Sequence, residues 1–230
     1  MAVMVAMVRV AAQLETVVMV ALADPQSPAA EQYRVLYHRL VRLGARRPAR
    51  VVAVTSSGRG EGRTTTAANL ALTAVREGRE VLLVECDLRR PRMAQLLDLS
   101  PRAGLADVAA GHAELSQALC RVDGLSALCA GEATDPVVLR SARVASAIDA
   151  VRGSFSLVVI DAPPALTLND AGRLASAADG FVLVVRAGET PRDVVKVAMD
   201  AIPDRLLGIV LNGVDEPGYA RYLAHEAVAV

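Results

Sequence analysis

Residues 57–64, Ser57-Gly58-Arg59-Gly60-Glu61-Gly62-Arg63-Thr64, match the spacing G-x-x-x-x-G-K-[ST] at all but two positions. Glycines at 58, 60 and 62 let the backbone close around phosphate oxygens, and the N–H groups of a helix starting there point at the anion. The Thr64 hydroxyl suits Mg²⁺, and the Thr65 hydroxyl suits a phosphate oxygen. The two deviations are Ser57 for the first glycine and Arg63 for the lysine. A guanidinium is planar and bulkier than an ammonium, so the exchange is not conservative. It can still bridge two phosphate oxygens. Loss of one well-placed transition-state donor costs about 10²–10³ in rate, so binding should survive the exchange better than turnover.

Three carboxylates follow apolar runs. Glu85 and Asp87 end "VLLVECD", and Asp161 ends "LVVID". In an open parallel sheet, ligands sit outside the carboxyl ends of the strands. Arg63, Thr64, Asp87 and Asp161 can therefore converge. Magnesium takes few direct protein ligands and keeps several waters, so this set is enough for a metal–phosphate site. Glu85 reaches one methylene further than aspartate and would shift any water-mediated contact. Each feature alone also fits a plain connecting turn, a helix cap or a solvated strand end.

The surrounding pattern supplies the elements that must hold these groups. Apolar or aromatic residues at 33, 36, 37, 40 and 43 predict a helix, ended by Gly44 and Pro48. "RVVAVTSSG" predicts a strand running into the loop, and "TTTAANLALTAVREG" a helix stopped at Gly78. Further buried strands are "EVLLVECD", "SLVVIDAPP", "GFVLVVRAG" and "LLGIVLNG", with helices at "GLADVAAG" and "SARVASAIDAVRG". Continuous apolar strands alternating with helices predict an α/β fold with a doubly wound, mostly parallel sheet covered on both faces.

The 230 residues suit one large α/β domain, and 53% hydrophobic content leaves ample material for its core. Lys+Arg 25 balances Asp+Glu 25, so no global field favours nucleic acid. Lys196 is the sole lysine, so arginine at a usual lysine position reads first as compositional. Cys86, Cys120 and Cys129 have neither metal nor redox spacing. Residues 1–24 form an apolar N-terminal extension interrupted by Arg9 and Glu15, without the roughly 18-residue run that spans a bilayer. A strand or helix packed on the domain, or on a membrane partner, fits them best. The expected division is 1–24 extension, 25–216 P-loop domain and 217–230 tail.

Taken together, "GRGEGRTTTAANLA", "VLLVECDLRRP" and "LVVIDAPP" resemble the Walker A, A′ and B motifs of the bacterial tyrosine kinase family. The likeness is to the CpsD/CapB type of capsule and exopolysaccharide biosynthesis, within the wider MinD/ParA-like P-loop group. It covers about residues 24–216. The resemblance implies ATP with Mg²⁺ as cofactors, bound by residues 57–65, and transfer of the γ-phosphate to tyrosine on a neighbouring subunit's tail. It assigns Asp87 a base or metal role, catalytic work to Arg63 with Asp87, metal contacts to Thr64, Asp87 and Asp161, and adenine reading to Asn212. Tyr219 and Tyr222 are the candidate phosphoacceptors. Glu31 and Arg34 match part of a ring-assembly pattern, so a homo-oligomer is implied; Tyr37 replaces its second arginine and reads from its spacing as a core-facing aromatic. Arg59 stands in place of a usual proline.

These expectations describe a protein-tyrosine autokinase at the cytoplasmic face of the membrane, peripheral to it. Its partner would be a transmembrane, co-polymerase-like adaptor of polysaccharide biosynthesis. Arg63, Glu85 and the sparse tail leave a second reading, a catalytically weak ATP-binding regulator of polysaccharide export. A MinD/ParA-like ATPase is a third, although Gly58 stands where that group places its signature lysine.

Overall fold

The β-branched and aliphatic runs all become strands of one sheet. A computed structural model describes residues 4–8, 19–44, 49–131, 142–167, 176–202 and 205–214. Among them the strands are β1 (Met4–Val8), β2 (Val51–Ser56), β3 (Val81–Glu85), β4 (Leu119–Val122), β5 (Leu125–Leu128), β6 (Leu157–Asp161), β7 (Gly180–Arg186) and β8 (Leu206–Asn212). Their spatial order is β1-β8-β7-β2-β6-β3-β5-β4. All neighbours run parallel except the β4–β5 pair at one edge.

Side chains alternate between two cores, as the period of two in a strand requires. On one side Val52, Val54, Leu83 and Val159 meet the helices α1 (Val20–Ala23), α2 (Pro28–Gly44), α3 (Arg63–Arg76) and α4 (Met93–Leu96). On the other side Val51, Ala53, Leu82 and Ile160 meet α5 (Leu105–Ala110), α6 (Leu115–Ala118), α7 (Ala142–Val151) and α8 (Arg192–Ala201). Helices on both faces explain why the strands are apolar throughout rather than alternating.

The element that carries the loop is held hardest. Every residue of α3 from Thr66 to Ala74 is buried. Small residues such as Ala67, Ala68, Ala71 and Ala74 let it lie close on the sheet, while Leu70 and Leu72 each contribute about 1.5–3 kcal/mol by full burial. Asn69, in its middle, accepts a hydrogen bond from the Ala21 backbone N–H at 2.9 Å and donates to the Thr65 carbonyl at 3.0 Å. Residues 19–21 are thereby drawn into the core beside α3. With β1 alongside β8, described parts of the apolar N-terminal stretch pack on the domain itself.

The antiparallel hairpin β4–β5 was not expected from the apolar runs. Its turn is Asp123-Gly124, and both residues have positive φ (46° and 82°), as a two-residue I′-type turn requires. The Asp-Gly pair was a legible signal, but β4 is short and half-exposed and carries no apolar run.

Candidate functional site

Three neighbouring strands deliver the site. Asp161 at the end of β6 pairs in register with Val54 of β2 on one side and with Glu85 of β3 on the other. The loop after β2, the acid ending β6 and the segment after β3 therefore open at one sheet edge.

The loop is shaped by Gly62, which precedes α3 with φ 88°. A Cβ there would fall 2.0 Å from Asn212 Nδ2, so only glycine fits by conformation and by space. Asn212, at the end of β8, donates from Nδ2 to the Glu61 carbonyl at 2.9 Å and is nearly fully buried. Its Oδ1 is buried without a hydrogen bond. The Glu61 carboxylate accepts from the Gly58 N–H at 3.1 Å and from the Thr190 hydroxyl at 2.6 Å. The Ser56 hydroxyl donates to the Gly58 carbonyl at 2.6 Å. Ser57 is buried; Arg59 and Gly60 are exposed; Thr64 and Thr65 are half-buried in the first turn of α3. That first turn presents backbone N–H groups with no intrahelical partner, the usual anion-facing end of a helix.

Arg63 turns away from the loop mouth and into the acids. Its Nη2 donates to Asp87 Oδ2 at 2.6 Å, its Nε to Asp161 Oδ1 at 3.1 Å, and its Nη1 to Ser56 Oγ at 3.3 Å. Burial pushes the Asp161 carboxyl up to about 6; the Arg63 charge and the Thr64 hydroxyl beside it pull down without cancelling this, and Glu85 adds to the rise. Asp161 Oδ2 is buried and makes no well-formed hydrogen bond.

Glu85 does something the sequence did not suggest. Its Oε1 accepts the backbone N–H groups of Arg92 (2.6 Å) and Met93 (2.8 Å), and its Oε2 that of Ala130 (3.0 Å). Both oxygens are therefore engaged by backbone, which gives Glu85 a structural role. The carboxylate ties the segment after β3 to the end of β5 and so fixes where Asp87 stands. Burial raises its pKa; the three N–H groups oppose this, and Asp87 adds to it.

Hard oxygen donors from Thr64, Asp87 and Asp161, one of them an orphaned buried carboxylate oxygen, fit a magnesium ion. No three acidic, histidine or cysteine side chains converge on a metal-sized gap among the described residues. An ion here would rest on one or two carboxylates, a hydroxyl, waters and phosphate, which is how magnesium is usually held.

Other expected residues lie elsewhere. Glu31 and Arg34 pair with each other on the exposed face of α2, with Arg34 Nε 2.7 Å from Glu31 Oε2. Tyr37 is core-facing, and its hydroxyl accepts from Arg79 Nε at 3.0 Å. Cys86, Cys120 and Cys129 are free thiols. Tyr219 and Tyr222 lie outside the described residues. Ser56 and Thr190, both part of the site, carried no motif signal; Thr190 is brought to Glu61 across 129 positions of chain.

The ParA family profile, described as NUBPL iron-transfer P-loop NTPase, matches residues 47–212. The tyrosine-protein kinase YwqD of Bacillus subtilis (strain 168) is 33% identical over 202 residues, covering 84% of this chain and 85% of that one. The succinoglycan biosynthesis transport protein ExoP of Rhizobium meliloti (strain 1021) is 31% identical over 209 residues, 86% of this chain but 26% of its own length. The kinase domain of Escherichia coli tyrosine kinase ETK superposes with a TM-score of 0.85 at 23% identity, covering 93% of this chain and 91% of that one. No helix among the described residues is long and apolar enough to cross a membrane.

Proposed function

Because the chain belongs to the bacterial tyrosine-kinase family within the ParA-like P-loop NTPases, we propose that it is an ATP-dependent protein-tyrosine autokinase of capsule or exopolysaccharide biosynthesis. The observation that carries this reading is the opening of the loop at 57–62, of Asp161 and of the segment bearing Asp87 at one edge of the sheet. ATP phosphates lie against the loop N–H groups and the Thr65 hydroxyl, and the unpartnered Asn212 Oδ1 is the acceptor available to the adenine amino group. Thr64, Asp161 and Asp87 are the residues that would hold Mg²⁺, which would neutralise phosphate charge. Asp87, once released by Arg63, is the carboxylate that would take the proton of an incoming tyrosine hydroxyl. Arg63 offers two parallel N–H groups to phosphate oxygens once it leaves the acids.

Residues 25–216 form the catalytic unit on this reading, with the N-terminal stretch as its edge and 217–230 as the acceptor tail bearing Tyr219 and Tyr222. Assembly into a homo-oligomer uses Glu31 and Arg34, whose exposed mutual pair can be exchanged for a neighbour's groups. The partner is a transmembrane adaptor that brings the kinase to the cytoplasmic face of the membrane. The place of a similar segment within one-quarter of a polysaccharide transport protein supports that link.

Incubation with ATP–Mg²⁺ and the adaptor's cytoplasmic segment tests the proposal. Phosphotyrosine that disappears in a Tyr219→Phe/Tyr222→Phe chain is the expected result. ATP binding without phosphotyrosine would replace it with the second reading, a regulator that binds ATP but turns over poorly; the engagement of Arg63 by both acids favours that reading. Partner-stimulated ATP hydrolysis without phosphotyrosine would indicate a MinD/ParA-like ATPase.

A further inference from the structure

The guanidinium of Arg63 occupies the space between two acids that a divalent cation would need. It contacts Asp87 at 2.6 Å and Asp161 at 3.1 Å through different nitrogens, with Ser56 Oγ completing its plane at 3.3 Å. This is not a rim pair. The side chains of Arg63 and Asp87 are each 12% exposed, and that of Asp161 1%. A cation so placed neutralises two carboxylates that would otherwise repel each other in a poorly hydrated setting.

From this geometry we infer that Arg63 is an internal counter-cation that sets the order of loading: a free divalent cation is kept off Asp87 and Asp161 until phosphate draws the guanidinium away. The inference rests on the phosphoryl-transfer reading of the same site. Two positive groups cannot share these oxygens, because a guanidinium and a metal ion a few ångströms apart repel strongly where water is scarce. Nucleotide phosphates give Arg63 an alternative pair of anionic acceptors with matching fork geometry. Its transfer to them uncovers Asp87 Oδ2 and Asp161 Oδ1 at the moment when a metal is wanted. The chain therefore takes nucleotide first, or nucleotide and metal together, and never metal alone. Lysine would do this less well. Its ammonium is a point charge without a fork, and it cannot reach both acids and the Ser56 hydroxyl in one plane.

The measurement is Mn²⁺ binding to the nucleotide-free full chain, read by electron paramagnetic resonance of the free ion. Wild type should show no binding attributable to this site. Arg63→Met should bind Mn²⁺ about ten-fold tighter or more, and adding Asp87→Asn to that variant should abolish the gain. Arg63→Lys should fall between wild type and Arg63→Met. Equal binding in wild type and Arg63→Met would overturn the inference, as would a gain that survives Asp87→Asn. Should Arg63→Met fail to fold by circular dichroism, the wild-type chain decides. The Arg63 Nε–H resonance in labelled protein should move when ATP is added in excess chelator, and an unmoved resonance overturns the idea. Neither readout involves phosphotyrosine, so failure of the kinase reading and failure of this ordering are separately visible.

Discussion

Asp161→Asn should make the protein more stable at pH 8. Asp161 is 1% exposed, and its carboxyl titrates near 6 in the folded chain against an ordinary 3.8. A carboxyl raised in the folded state favours the protonated form. Its contribution to stability is fully present below about pH 3.8 and is lost as pH rises through about 6. At pH 8 the ionised group therefore opposes folding by about 2 × 1.36, or roughly 3 kcal/mol. The substitution keeps an oxygen for the 3.1 Å bond from Arg63 Nε, and Arg63 keeps Asp87. It also puts an amide N–H₂ where Oδ2 makes no well-formed hydrogen bond, which returns part of the gain. The net expectation is about 1–3 kcal/mol, or about 2–4 °C in Tm for each kcal/mol in a domain of this size. Urea unfolding at pH 8 and at pH 4.5 measures it. The carboxyl's penalty should shrink to about 1 kcal/mol at the lower pH, because the wild-type group is then largely protonated when folded. A variant less stable than wild type at pH 8, or a difference that does not shrink with pH, would refute the reasoning.

Two further outcomes follow from the loop and its anchor. Glu85→Gln replaces one acceptor oxygen by a donor among three backbone N–H groups, so stability should fall by about 1–3 kcal/mol. Hydrogen exchange should quicken at Met93 and Ala130, and unchanged protection there would show that Glu85 does not anchor the segment. Gly62→Ala sets a Cβ 2.0 Å from Asn212 Nδ2 at φ 88°, which costs about 1–3 kcal/mol in backbone strain alone. ATP affinity by isothermal titration should drop at least several-fold with the fold retained; wild-type affinity would mean that the loop need not hold this shape.

Much of the frame was readable from neighbours in the chain. The apolar spacing from 33 to 43 marked the inner face of α2, and Tyr33, Leu36, Tyr37 and Leu40 are buried there. The strand runs placed β2, β3, β6, β7 and β8, and Gly78, with φ 77°, ends the α3 region as expected. Periods of two and 3.6 are local, so sequence carries them directly. The hairpin β4–β5 escaped because its short outer strand faces partly to solvent, leaving its Asp-Gly turn as the sole clue.

The site divides along the same line. Residue types alone pointed to a candidate phosphate loop, a hydroxyl suited to a metal and two aspartates at strand ends, because those chemistries demand particular side chains at short spacings. They could not say which groups touch. Glu85 and Asp87 are two positions apart, yet one is consumed by backbone N–H groups at 92, 93 and 130, and the other meets Arg63. Arg63 finds partners 24 and 98 positions away because β6, late in the chain, inserts between β2 and β3. Side-chain identity is written in the sequence; strand order, which sets the distance between charges remote in the chain, is settled only when the sheet assembles and its two faces are covered.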